Sequence, residues 1–310
     1  MYPFRAYAVI ALQCVSPALF IFNHVCKASI QHKSQYGFMM KKTAFMMLVA
    51  ASQISFALPQ TQLTAGGIAV ITLPEYAPNN VQVLFNNTQV PIITQQNERI
   101  AIVGIPLNTN EGNNTLILQA PDFMETLSFN VEAKDYPEQR ITLKQTQNNK
   151  VTPNEEELAR YSREAAEQKS VYQSFSTTQL TWPSFIMPIK GKISSPFGLK
   201  RFFNDQARDP HSGLDIAAPE GKVVVAPADG IVSQTGDYFF NGQTVMIDHG
   251  QGIISMMCHL SKIDVVKGQT IKQGDAIGKV GHTGRATGPH LHWGVSINNA
   301  RVNPLLVLDK

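Results

Sequence analysis

Gly288-Pro289-His290-Leu291-His292-Trp293-Gly294-Val295-Ser296-Ile297 opens on a glycine–proline turn and then alternates polar and apolar side chains, the pattern of a half-buried β-strand. Alternate side chains on a strand share a face, with their backbones ~6.6 to 6.8 Å apart, so His290 and His292 project to one side while Leu291 turns into a core. Outward from this stretch, short runs at 192–195, 221–225, 230–235, 243–248, 252–259 and 275–280 carry the same signature, with glycine turns between nearly every pair. No helical period long enough for an α/β unit occurs among them. The expectation is an antiparallel β-sheet or barrel-like domain over residues 185–310.

Six of the eight histidines lie between 211 and 292. His211-Ser212-Gly213-Leu214-Asp215 adds a histidine and a carboxylate four apart; Pro210 and Gly213 disfavour a helix, and on an extended segment the two share a face. Two imidazoles and one carboxylate are the protein ligands of a catalytic zinc, which keeps a fourth position for water and lowers that water's pKa to ~7. A closed structural zinc would want thiolates, and a lone cysteine cannot supply them. Spacing does not decide which of His290 and His292 ligates. The other one, with His259 on the 252–259 run, is left for proton transfer and for stabilising an oxyanion. Cys258 beside His259 suggests a rival nucleophile pair, but neighbours on a strand point to opposite faces, so Cys258 reads as a small buried apolar residue. His249 and His282 are expected in turns or at the surface.

The preceding half is organised differently. From 58 to about 145, β-branched runs alternate with turn signals such as Asn86-Asn87 and Gln96-Asn97, which predicts an N-terminal β-sandwich of immunoglobulin-like shape with no cluster of chemistry-bearing residues. Thr152-Pro153-Asn154-Glu155 reads as a capping box that opens a connector helix over 152–175. Its stripe of Leu158, Tyr161, Ala165, Val171, Tyr172 and Phe175 needs a neighbour to cover it, and the expectation is that sandwich and helix dock over the cleft and restrain access. The chain as a whole is therefore mainly all-β.

With 43% apolar and 16% charged residues, the 310-residue chain can bury a substantial core, which excludes a disordered or fibrous protein. Residues 1–57 hold five basic residues and no acidic one, so the formal charge of +3 belongs to this leader and the remainder is slightly acidic. Such a body offers no electrostatic footprint for nucleic acid. Met39-Met40-Lys41-Lys42, the apolar run 43–51 and Ser55-Phe56-Ala57 form a signal-peptide pattern over 39–57, with 1–38 as an upstream extension. The apolar run is short of the ~20 residues of a membrane span. Export to the periplasm without a stable span in the mature form is expected. Cys14 and Cys26 fall in the leader, so the mature body has no intrachain disulfide.

Three segments, His211-Ser212-Gly213-Leu214-Asp215, Met256-Met257-Cys258-His259-Leu260-Ser261 and Gly284-Arg285-Ala286-Thr287-Gly288-Pro289-His290-Leu291-His292-Trp293, resemble the signature motifs of lysostaphin-type (LytM-type) zinc endopeptidases. Ile193-Ser194-Ser195-Pro196-Phe197-Gly198 and Ala226-Pro227-Ala228-Asp229-Gly230 are similar to that family's supporting segments, and the region before Pro188, including Asp135-Tyr136-Pro137-Glu138-Gln139-Arg140 and the connector, resembles the N-terminal part of its periplasmic members. The resemblance implies that His211, Asp215 and His292 bind one Zn2+ per chain and that His259 and His290 act on the water and the oxyanion. It implies peptidoglycan as partner and substrate, its peptide cross-links being cut by zinc-bound water. Met257 departs from the tyrosine usual two residues before the catalytic histidine. A noncatalytic cell-wall binding or hydrolase-activating protein of the same fold is the alternative; the intact ligand set favours an active enzyme.

Overall fold

The computed structural model describes residues 58–141, 154–176, 182–203 and 206–309. The expected signal peptide and upstream extension lie outside the described residues. Eight described strands precede the helix: β1 (Ile68–Thr72), β2 (Gln82–Phe85), β3 (Thr88–Gln89), β4 (Ile92–Gln95), β5 (Glu98–Gly104), β6 (Gly112–Ala120), β7 (Phe123–Val131) and β8 (Glu138–Ile141). The first seven make two antiparallel sheets, ordered β1-β5-β4 and β3-β2-β6-β7. Asn86-Asn87 and Gln96-Asn97 close their hairpins with positive φ at both residues, the twist that two-residue turns require and that asparagine tolerates best among ordinary residues.

β5 is apolar on both faces because both are covered. Ala101 and Val103 meet Phe85, Leu116 and Leu118 between the two sheets. Ile100 and Ile102 turn the other way and join Ile297 and Val302 of the C-terminal half in one continuous core. At this seam the Gly104 N–H donates to Asn298 Oδ1 at 2.6 Å, Asn298 Nδ2 donates back to the Gly104 carbonyl at 3.1 Å, and a Cβ on Gly104 would lie 2.6 Å from the Ile297 carbonyl oxygen.

The helix α1 (Glu155–Tyr172) begins two residues later than its expected box. Asn154 is the N-cap, accepting from the Glu157 N–H while the Glu157 carboxylate accepts from the Asn154 N–H, each at 2.9 Å. Thr152 and Pro153 lie outside the described residues.

Twelve described strands follow: β9 (Lys192–Ser195), β10 (Lys200–Phe203), β11 (Gln206–Arg208), β12 (Leu214–Ala217), β13 (Val223–Val225), β14 (Gly230–Tyr238), β15 (Gly242–Asp248), β16 (Ile253–Ile263), β17 (Thr270–Ile271), β18 (Ala276–Val280), β19 (His290–Ile297) and β20 (Ala300–Val302). The main path runs β17-β14-β15-β16-β19-β12-β9, an open sheet and not the closed barrel that the glycine-punctuated pattern also allowed. One exception to antiparallel pairing matters for the site: β8 runs parallel to β10 and extends the β10–β11 hairpin to three strands.

One face of the sheet carries Leu214, Ile216, Met257, Leu260, Leu291 and Trp293 into the core. On the other face Met246, Ile254, Met256 and Cys258 receive Tyr172 from α1. Further along, α1 grips the β14–β15 turn: Tyr161 meets Phe240 edge-on at 4.9 Å, and the Phe239 N–H donates to Glu164 at 2.7 Å. Of the expected stripe, Tyr172 is the residue that covers the sheet beside Cys258, whereas Leu158 and Tyr161 stay exposed. The sandwich departs from expectation, because β5 packs at the Ile297 end of β19, roughly 23 Å along the strand from His290 at ~3.3 Å per residue.

Candidate metal centre

Antiparallel pairing assembles the site. Asp215 on β12 and His292 on β19 are register partners, and Cys258 on β16 pairs with His292 from the other side. His292 Nδ1 lies 2.8 Å from Asp215 Oδ1. His211 arrives from the loop before β12, its backbone fixed by the Leu199 carbonyl at 3.0 Å and the Gly198 N–H at 2.7 Å. Its Nδ1–H donates to the Pro196 carbonyl at 2.8 Å, which leaves Nε2 as a lone pair 2.9 Å from Asp215 Oδ1 and 3.0 Å from His292 Nδ1. Gly213 belongs in this motif for a steric reason: a Cβ there would sit 2.6 Å from His292 Nε2 and 2.7 Å from the Trp293 carbonyl oxygen.

His211, Asp215 and His292 are the only group of three or more His, Cys, Asp or Glu side chains among the described residues that could hold a metal ion. The donor set fits one. Tetrahedral bonds of about 2.0 to 2.2 Å to nitrogen and oxygen place ligand atoms roughly 3.3 Å apart, slightly wider than this triangle. With both imidazoles neutral, at most one proton, on His292 Nδ1, lies among the three atoms, which leaves lone pairs facing each other; a divalent cation satisfies all three. Burial disfavours the charged form of Asp215, but the bonds and charge of His211 and His292 outweigh it and hold the carboxyl below its ordinary range. Burial likewise pushes the His292 imidazolium down, against the pull of Asp215.

The second carboxylate oxygen is also engaged. Arg201 Nη2 donates to Asp215 Oδ2 at 3.2 Å and to Ser195 Oγ at 2.9 Å, and Ser195 Oγ lies 3.3 Å from His211 Nδ1. Neither Arg201 nor Ser195 stood out in the sequence as a site residue, since their relation to Asp215 exists only once β10 folds back beside β9 and β12.

His259 and His290 stand alongside, rings 4.8 Å apart, with His290 Nε2 3.9 Å from Asp215 Oδ1. Each donates its Nδ1–H to a carbonyl at 2.8 Å, His259 to Thr283 and His290 to Gly288, so in the neutral form both present an Nε2 lone pair. Burial, with His292 second, pushes the His259 imidazolium down to about 4.

His259 reaches this face through a β-bulge. Its φ is +60°, and the β15–β16 register shifts between Gln243 and Val245. Met257 and Leu260 both enter the core, while Cys258 and His259 between them both lie on the outer side. Strict alternation therefore fails here, and with it the argument that opposite faces keep Cys258 from His259. Cys258 is inert for another reason: it is fully buried, and desolvation pushes its thiol up to about 12. Met257 is fully buried opposite Trp293, so its departure from tyrosine takes nothing out of the site.

The remaining two histidines are apart from the centre. His249 is buried and not a surface residue, its Nδ1 donating to the Asp229 carbonyl at 2.7 Å and its Nε2 2.8 Å from Ser255 Oγ; desolvation pushes it down to about 4. His282 is exposed beside Glu220 at 3.1 Å.

Comparison with known proteins agrees with this layout. Residues 209–304 match the model of peptidase family M23 and residues 62–134 that of the peptidase family M23 N-terminal domain. The crystal structure of a putative peptidase M23 from Pseudomonas aeruginosa is 41% identical and superposes with a TM-score of 0.67, covering 81% of this chain and 96% of that one. The DD-carboxypeptidase/endopeptidase Mpg of Neisseria meningitidis is 42% identical over 116 residues, and the peptidoglycan DD-endopeptidase ShyA of Vibrio cholerae 41% over 117; each match spans 37% of this chain and 27% of the relative's length.

Proposed function

Because the chain belongs to peptidase family M23, we propose that it is a zinc-dependent endopeptidase that cuts the peptide cross-links of peptidoglycan. The observation that carries this reading is the triangle of His211 Nε2, Asp215 Oδ1 and His292 Nδ1, with edges of 2.8 to 3.0 Å, beside two histidines that offer open Nε2 atoms. The substrate class follows that of the Vibrio relative, a peptidoglycan DD-endopeptidase.

His211, Asp215 and His292 would hold the zinc. Bound there, zinc supplies a Lewis acid that polarises an amide carbonyl and makes water a nucleophile near neutral pH. The chain's own contribution is proton handling. With their Nδ1 protons committed to the Thr283 and Gly288 carbonyls, His259 and His290 act as bases through Nε2 when neutral. Whichever Nε2 takes a proton from the attacking water becomes an imidazolium, which then donates to the developing oxyanion or to the departing amine. Cys258 takes no part.

We propose that the signal-peptide pattern over residues 39–57 exports the enzyme to the periplasm, where peptidoglycan would be met. No described helix is long and apolar enough to cross a membrane.

Digestion of purified sacculi, followed by separation of the released muropeptides, tests the proposal. The wild type is expected to convert cross-linked dimers to monomers and His292→Ala to release none. A wild type that carries zinc yet leaves cross-links intact would instead favour the noncatalytic activator of the same fold.

A further inference from the structure

The segment between the sandwich and the helix touches the ligands' supports at two places. Tyr136 donates its hydroxyl to the Ala65 carbonyl at 2.8 Å and lays its ring against Gly198, a position with φ +80° where a Cβ would collide with that ring. Gly198 in turn gives its N–H to the His211 carbonyl at 2.7 Å. Two residues on, β8 pairs in parallel with β10, Gln139 opposite Arg201, and the Lys200 N–H donates to the Pro137 carbonyl at 2.9 Å. Among the described strands, β10 is otherwise paired only with the three-residue β11. A short hairpin of this kind is marginal by itself, and a third strand is what makes it rigid.

Arg201 is the residue this bracing positions. One guanidinium nitrogen reaches both Asp215 Oδ2 and Ser195 Oγ, so Oδ2 is occupied from behind and Oδ1 is the oxygen that faces His211 and His292.

We propose that Arg201 is a positioning residue that makes Asp215 offer a single oxygen to the metal, and that the inter-domain strand β8 holds Arg201 in place. The N-terminal half is thereby part of the metal centre's scaffold as well as a neighbour of the peptidase half. This rests on the metal reading proposed above. Loss of Arg201 frees Oδ2 to compete for the ion, which changes the ligand number as well as the affinity. A Lys at 201 can still donate to Oδ2.

The test uses the folded full-length chain, with zinc affinity measured by chelator competition and ligand geometry read from the visible spectrum of the cobalt(II)-loaded protein. Arg201→Met is expected to weaken zinc binding roughly 10- to 100-fold, the usual cost of losing an outer-shell partner, and to alter the cobalt bands. Arg201→Lys is expected to recover most of both. Gln139→Pro, which interrupts the β8–β10 ladder without touching the site, is expected to shift both readouts in the direction of Arg201→Met. A merely structural role for Arg201 would lower stability and leave the cobalt spectrum alone. Wild-type affinity and an unchanged spectrum in Arg201→Met would overturn the inference, as would a Gln139→Pro variant that matches wild type. A wild type that takes up neither zinc nor cobalt would overturn the metal reading itself.

Discussion

Asp215 and His292 are direct partners across the antiparallel pair β12–β19, and their side chains meet at 2.8 Å. Two of the three candidate ligand atoms are thus set by sheet register, the least adjustable feature of a β protein, because a one-residue slip would send either side chain into the core. His211 alone comes from a loop, and its tautomer is fixed by the Pro196 carbonyl.

Substitutions should therefore separate into two classes. His211→Ala, Asp215→Ala and His292→Ala are expected to lose metal and activity together. His259→Ala and His290→Ala keep the triangle and are expected to retain metal while kcat falls by roughly 10²- to 10⁴-fold, the usual worth of a positioned acid–base group. Metal content and muropeptide release, measured on the same preparations, check this.

Gly213→Ala places a methyl group 2.6 Å from the His292 ring and 2.7 Å from the Trp293 carbonyl oxygen, in the bend that leads into β12. The expected cost is about 1 to 3 kcal/mol of stability together with weakened metal uptake. Urea denaturation in chelator reports the first effect without the second.

Met257→Tyr is expected to bring no gain in activity. The side chain at 257 is buried opposite Trp293 on the core face, so the larger ring overpacks the core, at about 1 to 3 kcal/mol, and adds no hydroxyl to the site. A rate increase with stability preserved would show that this position does reach the cleft.

His249 gives a pH signature remote from the metal. Its folded pKa lies at about 4, below the ordinary 6.5, so between these values the folded chain binds fewer protons than the unfolded one. Its stabilisation is full above pH 6.5 and is lost as pH falls toward 4, by about 3 kcal/mol at most. His249→Gln should be less stable than wild type at pH 7, and the difference between the two should shrink by pH 5. Denaturant melts at the two pH values provide the comparison.

Much of the centre was legible because strands display their faces with period 2. His290 and His292 alternate with Leu291 and Trp293, and Asp215 lies on a strand, but the extended segment expected to carry His211 as well starts only at Leu214, leaving His211 in the loop before it. His259 does lie beside His290, but the bulge that aims it breaks the very alternation used to read it; Met257 and Leu260, apolar and three apart, were its only trace. Arg201 left no trace, since a basic residue in a polar stretch acquires meaning only from the strand it folds against. β5 carried a subtler signal. Ile100, Ala101, Ile102 and Val103 are apolar without alternation, which marks a strand covered on both faces, yet nothing local could say that Ile297 lies across the seam. Likewise Thr152 and Asn154 each precede a glutamate by three residues, Glu155 and Glu157, so the sequence offers two capping registers, and the helix uses the one at Asn154.

The centre's claim is that three side chains from β12, β19 and the loop before them hold one divalent ion. Metal analysis of the purified wild type beside His292→Ala, after both are loaded with zinc and desalted, tests it most directly. One equivalent in the wild type and none in the variant is the predicted result. A folded wild type that retains no zinc, or a His292→Ala variant that retains a full equivalent, would contradict it.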